Sequence, residues 1–159
     1  MAKEFSRAFM LYKAKSDGNG AASQWNLGSD KTCLFLEMTN QKGKDDQGNA
    51  RFDWENKIRF KLGETDIGEI LAVLVGLQEG VGPFDTSKNK NRGLYHQNPN
   101  GNAILYFWKD GHNRFHIYLS VKKENEKTVV VVKHAISRGE ACVLSTLLRR
   151  AIEVIYRWH

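Results

Sequence analysis

Apolar and polar positions alternate with period two along most of this chain, and at two places the spacing lengthens to that of a helix. From Phe5 to Lys15, the residues Phe5, Arg7, Phe9, Leu11 and Lys13 alternate with Ser6, Ala8, Met10 and Tyr12, which predicts a first strand. Ser16 to Gly20 breaks it, because Gly and Asn supply the positive-φ positions of tight turns. A second strand is expected at Ala22 to Leu27, a turn at Gly28-Ser29-Asp30, and a third strand at Thr32 to Gln41. Lys42 to Gly48 is polar and punctuated by Gly, the composition of a hairpin tip. The fourth strand is the sharpest. Phe52, Trp54, Ile58, Phe60 and Leu62 share one parity, interrupted only by Asn56, while Arg51, Asp53, Glu55, Lys57, Arg59 and Lys61 share the other. One face then enters a core and the other meets water or a partner. A helix follows from about Glu64 to Gln78, where Ile67, Ile70, Leu71, Leu74 and Val75 form one apolar stripe, and Gly80 and Gly82-Pro83 end it.

The second half repeats the order. The polar loop Asp85 to Asn91 leads to a strand at Gly93 to Gln97, and Asn98 to Gly101 has the composition of a turn. Ala103 to Lys109 reads as a strand, and Asp110-Gly111 is a hairpin signal. In Arg114 to Lys122, Phe115, Ile117, Leu119 and Val121 alternate with His116, Tyr118, Ser120 and Lys122. Thr128 to Val132 is a β-branched strand. The last helix spans about Arg138 to Arg157, with Ser137 and Glu140 in capping-box spacing and an apolar face of Leu144, Leu147, Leu148, Ala151, Ile152 and Ile155. The chain thus reads as four strands and a helix, twice over: an α+β protein forming one domain over 1–159, with pseudo-repeats at 1–80 and 84–159. The repeat is one of topology rather than of sequence.

Composition adds a partner class. The 159 residues include 24 Lys and Arg against 18 Asp and Glu, a formal charge of +6. A basic surface attracts phosphate and releases counterions on binding, so a polyanion is a fitting partner. Cys33 and Cys142 are far apart, lack the CxxC spacing and sit in apolar stretches, so both are expected to be buried free thiols in a reduced, cytoplasmic setting. The N-terminal stretch has no apolar run of signal length, and no segment approaches the length of a membrane span. Neither export nor a membrane partner is expected.

Several segments taken in order resemble the Whirly family. Phe52-Asp53-Trp54, then Phe60-Lys61-Leu62, then Asp66-Ile67-Gly68-Glu69-Ile70-Leu71 is similar to that family's aromatic-Asp-Trp strand, Phe-x-Leu strand end and helix opening. Tyr95-His96 with Pro99, the strand Phe115 to Val121, and Glu140, Val143-Leu144 and Trp158-His159 resemble its later segments. The likeness covers Arg51 to His159. It implies two four-stranded antiparallel sheets, each followed by a helix, and binding of single-stranded DNA, or RNA in some relatives, across sheet surfaces and edges. It also implies a homo-oligomer, a tetramer, or a dimer as in the related positive-cofactor-four type of coactivator. Two features depart from the family pattern. Gln97-Asn98 stands where one acidic residue precedes the proline, and the basic oligomerisation motif is not recognisable after the first helix.

Single strands are held by cations for phosphate and by aromatic faces for bases. The candidates are Lys42 and Lys44 on the hairpin tip, Lys57, Arg59 and Lys61 on the polar parity of the fourth strand, and Arg92 in the loop with Lys88 and Lys90. Tyr106, Trp108 and Lys109 on the sixth strand, and His116, Tyr118 and Lys122 on the seventh, complete the set. Packing competes for some of these residues. Trp54 falls on the apolar parity and is expected in the core, whereas Tyr106 and Trp108 fit either a binding face or a sheet-on-sheet core. The cations of the fourth strand alternate with Asp53 and Glu55 and fit cross-strand pairs equally well.

No enzyme is expected. His112 and His116 have the i, i+4 spacing of a zinc pair, but on a hairpin rather than a helix, so no metal or other cofactor is predicted. Asp53 and Glu55 share a strand face without a third group, and phosphate-loop and nucleophile-elbow motifs are absent from the sequence. An RNA-annealing protein of the same fold, a protein-interaction module and a metal-dependent nuclease are the alternative readings.

Overall fold

A computed structural model describes residues 7–99 and 101–158. The first unit contains β1 (Phe9–Lys13), β2 (Ala21–Leu27), β3 (Leu34–Lys44), β4 (Ala50–Phe52) and β5 (Ile58–Leu62), followed by α1 (Glu64–Leu74). β1 pairs with β2 and β2 with β3, and both β4 and β5 pair with β3, all antiparallel. The expected fourth strand is therefore one strand position filled in two pieces. A 3-10 turn at Trp54–Asn56 separates them. The residue that interrupts the alternation causes the break: the Asn56 amide donates to both oxygens of Asp53, at 2.9 and 3.1 Å, and folds the chain back locally. Two expectations fall with it. Trp54 is half-buried on the turn rather than in the core, and Asp53 and Glu55 do not share a strand face.

The second unit adds a two-stranded hairpin within the polar loop, β6 (Phe84–Asp85) and β7 (Lys90–Asn91). β8 (Leu94–Asn98), β9 (Gly101–Lys109), β10 (Phe115–Lys123) and β11 (Val129–Ile136) then form an antiparallel sheet in the order β11-β10-β9-β8, and α2 (Arg138–Tyr156) follows. The capping box at α2 is present: Ser137 Oγ accepts from the Glu140 N–H, and the Glu140 carboxylate accepts from the Ser137 N–H. Glu140 also pairs with Lys13, tying this cap to β1. The first strand is shorter than its alternation predicts, and the expectation for Phe5 and Ser6 lies outside the described residues. So does that for His159.

Leu36, Met38, Phe60 and Leu62 from the first sheet lie in one core with Leu105, Phe107, Ile117 and Leu119 from the second. Ile67, Ile70 and Val73 of α1 and Leu144, Leu148 and Ala151 of α2 complete it. Each of these side chains except the small Ala151 contributes roughly 1.5–3 kcal/mol by leaving water. The buried indole is Trp25, on the second strand, which register places between Phe9 and Leu36. Four helical expectations are corrected. α1 ends at Leu74, so Val75 caps it and is exposed. On α2, Leu147 and Cys142 face outward, because the stripe that meets the core runs through Ala141, Leu144, Leu148 and Ala151, with Ile152 and Ile155 packed at its margin; Cys33 alone is a buried thiol. No described helix is long and apolar enough to cross a membrane.

Candidate nucleic-acid interface

Alternation along β9 and β10 sends Leu105, Phe107, Ile117 and Leu119 into the core and leaves Tyr106, Trp108, His116 and Tyr118 on the outer face, each half-buried. Register brings these four together in cross-strand pairs. Trp108 lies opposite His116, with the rings stacked at 5.2 Å and 18°; Tyr106 lies opposite Tyr118, edge-on at 5.8 Å. The core thus takes neither Tyr106 nor Trp108. Lys122 lies on the same parity of β10, and Lys133 of β11 sits directly opposite Tyr118. Lys109 pairs with Phe115, on the opposite parity from Tyr106.

The β9–β10 turn fixes the imidazole of this face. The Asp110 carboxylate accepts from His116 Nε2 at 2.7 Å and from the backbone N–H groups of Arg114 and His112. Those donors, His116 first, hold the Asp110 carboxyl well below the usual carboxylate range. His116 is therefore oriented by a carboxylate, to which its i, i+4 partner His112 donates through its backbone N–H. Among the described residues no cluster of three or more His, Cys, Asp or Glu side chains is arranged to hold a metal ion.

Where β8 ends, the segment around Gly80 takes its place beside β9. The Val81 N–H donates to the Phe107 carbonyl at 3.0 Å, and the Lys109 N–H to the Glu79 carbonyl at 2.9 Å. The chain then turns back as the β6–β7 hairpin over the outer face. Glycine permits this approach at two positions. Gly82 (φ +84°) would put a Cβ 2.2 Å from the Gly93 carbonyl oxygen, and Gly93 (φ +81°) would put one 2.9 Å from the Tyr106 ring. Between hairpin and sheet lies an open groove of about 550 Å³, reached by Phe84 and Lys90 from one side and by Tyr106, Trp108 and Tyr118 from the other. The Lys90 ammonium stands 5.8 Å from the centroid of the Tyr106 ring.

The other predicted cations lie elsewhere. Arg59 and Lys61 are on the outer face of the first sheet, and Arg59 caps the Phe35 ring at 4.0 Å. Lys57 is 2.9 Å, and Arg59 3.9 Å, from Glu37, a buried carboxylate that also accepts from the Gln24 amide. Two of these cations thus take the cross-strand pairing, with Glu37 of β3 as their partner. Lys42 and Lys44 sit on the extended end of β3, with Lys42 at 3.9 Å from Asp53. Arg92 pairs with Asp85 at 3.5 Å, at the base of the hairpin. Phe84 and Lys133 are the residues of the interface that sequence reasoning leaves out of the site, while Lys90 enters there only as a neighbour of Arg92. Lys133 was legible in principle, since continuing the alternation of β11 past Val132 puts it on the face of Lys122.

Two four-stranded antiparallel sheets, each followed by a helix, with an aromatic and basic outer face, define a Whirly-like α+β fold. Comparison with solved structures agrees. WHY1 from Arabidopsis thaliana superposes with a TM-score of 0.69 over 100% of this chain and 90% of its own, at 18% identity. The plant transcriptional regulator PBF-2 gives 0.67 over 100% and 86%, at 16% identity. A guide-RNA-binding protein complex bound to a gRNA gives 0.67 over 95% and 92%, at 14% identity. At these identities the likeness is one of fold. No protein-family model matches the sequence, and no curated protein matches it.

Proposed function

We propose that this protein binds single-stranded nucleic acid, chiefly DNA and with little sequence preference, on the outer face of its second sheet, without catalysing a reaction. The observation that carries this reading is the cluster of Trp108, His116, Tyr106 and Tyr118, with Lys133 directly opposite Tyr118 and Lys122 farther along the same face of β10. Rings half-open to solvent offer π-faces to any base, and flanking ammonium groups meet the phosphates, which is what sequence-tolerant binding requires. Arg59 and Lys61 on the first sheet, Lys42 and Lys44 on the β3–β4 hairpin, and Arg92 and Lys109 near the groove extend the positive field along which a strand approaches. The gRNA-bound neighbour of the same fold favours a second reading, in which the strand is RNA. We also propose self-association through α2 and the residues just after it, where Val143, Leu147, Tyr156 and Trp158 are exposed.

Fluorescence anisotropy with labelled single-stranded and duplex DNA of equal length, at low and moderate salt, tests the function. Single strands are expected to bind much more tightly, with affinity falling as salt rises. Equal affinity for both forms, or none, overturns it. Competition by RNA of the same sequence separates the two strand readings.

A further inference from the structure

We propose that the groove under the β6–β7 hairpin is a slot for one unstacked nucleotide, its base held between Phe84 and the Tyr106–Trp108 rings and its phosphate by Lys90; this rests on the strand-binding reading above. A volume of about 550 Å³ falls within the ~300–1,000 Å³ of small-ligand clefts. That is room for a single nucleotide, and the hairpin wall excludes a second, paired strand.

The two sides of the slot are chemically matched to a nucleotide. Phe84 is an apolar ring left 56% exposed on the hairpin, outside the core and without an aromatic partner in the described contacts. Tyr106 and Trp108 supply rings from the sheet. Gly80 bridges to Trp108 and carries no side chain to cover the indole. Lys90 stands over Tyr106 where a base would stack, and forms no ion pair among the described residues. An ammonium over a partly solvated ring is held more weakly than a stacked base, so it can yield its position and meet the incoming phosphate.

The wall is also preformed. The Asn91 amide donates to the Gly82 carbonyl at 2.8 Å, and the Arg92 N–H to the Pro83 carbonyl at 2.9 Å. With the bonds of Val81 and Glu79 to β9, these hold the hairpin beside the sheet, which keeps the ordering cost of binding low.

Two measurements on the full chain test the slot. The first uses an oligothymidine carrying one 2-aminopurine, whose fluorescence falls when it stacks on an aromatic ring. Wild type is expected to quench it. Phe84→Ala, a change at an exposed site, is expected to abolish the quench and weaken strand binding about tenfold. Lys90→Gln is expected to remove about 0.7 from the slope of log affinity against log salt. The second is saturation-transfer NMR with dAMP, which is expected to contact wild type and not Phe84→Ala. Strand binding that is equal in wild type and Phe84→Ala, with the probe unquenched, overturns the slot and leaves the strand reading standing. Capture of dAMP by wild type alone, with no oligonucleotide retained at low salt, supports the slot and overturns the strand reading. Neither dAMP contact nor strand binding overturns both.

Discussion

At the scale of the residue, one buried side chain couples the two sheets to pH. His134 of β11 is nearly enclosed, and its Nε2 lies 2.8 Å from Ser23 Oγ on β2. Its Nδ1 lies 2.9 Å from the Ala135 carbonyl, which can only accept, so Nδ1 carries the proton and Nε2 accepts from the serine hydroxyl. Burial holds the imidazole below the ordinary 6.5, with Lys13 adding to the effect and the Ala135 bond and Glu140 opposing it. The unfolded chain therefore takes up a proton that the folded chain resists. Stability is complete above about pH 6.5 and declines as pH falls below it toward the folded-state value. Urea unfolding at a series of pH values checks this, and a midpoint that does not move across that window contradicts it. Ser23→Ala leaves Nε2 without its partner in a dry site, and is expected to cost about 1–3 kcal/mol at neutral pH.

At the scale of the element, local chemistry explains most boundaries. Ser137 and Glu140 start α2 where their spacing predicts, and Ser137→Ala is expected to lower stability by about 1 kcal/mol. A thermal melt of the variant reads this directly, and an unchanged melt contradicts it. The pairing of β9 with β10 was legible because β10 alternates without interruption and a strong turn signal joins it to the apolar run of β9. The fourth strand was less legible. Its parity is sound on either side of Asn56, but Asn56 bonds back to Asp53, and the alternation count had no way to weigh that bond against one more pair of the β3 ladder. The β6–β7 hairpin was not legible either. Two residues per strand leave no period to detect, and the hairpin is held by docking on β9.

At the scale of the whole molecule, the net charge of +6 matters through where it is placed. Part of it is neutralised internally, as Lys57 and Arg59 are against Glu37, and part faces solvent on the aromatic face of the second sheet, as Lys133 does opposite Tyr118 and Lys122 does farther along β10. Lys122→Glu combined with Lys133→Glu is expected to weaken single-strand binding. It should also flatten the salt dependence by about 0.7 in slope for each phosphate that the protein no longer neutralises. Anisotropy at several salt concentrations measures this, and an unchanged slope removes the second sheet from the interface. The exposed apolar residues of α2 predict a solution mass above the 18.2 kDa of one chain. Light scattering checks it, and Val143→Glu with Leu147→Glu should return the mass to that of the monomer. A monomeric wild type contradicts the self-association.

The doubled order of four strands and a helix, and the division of β10 into a core side and an outer side, follow from the sequence alone. Period is a local property, and a strand that alternates carries its own record of which side is apolar; β9, apolar on both parities, was divided only by the tertiary structure. What covers each side is not local. That Trp25 is buried while Trp54 stays on a turn was settled by tertiary structure. So were the placement of Lys133 opposite Tyr118, the contact of His134 with a serine 111 positions away, and the folding of a glycine-flanked hairpin over the aromatic face. These depend on strand order, register and docking, which join segments whose sequences carry no signal of one another.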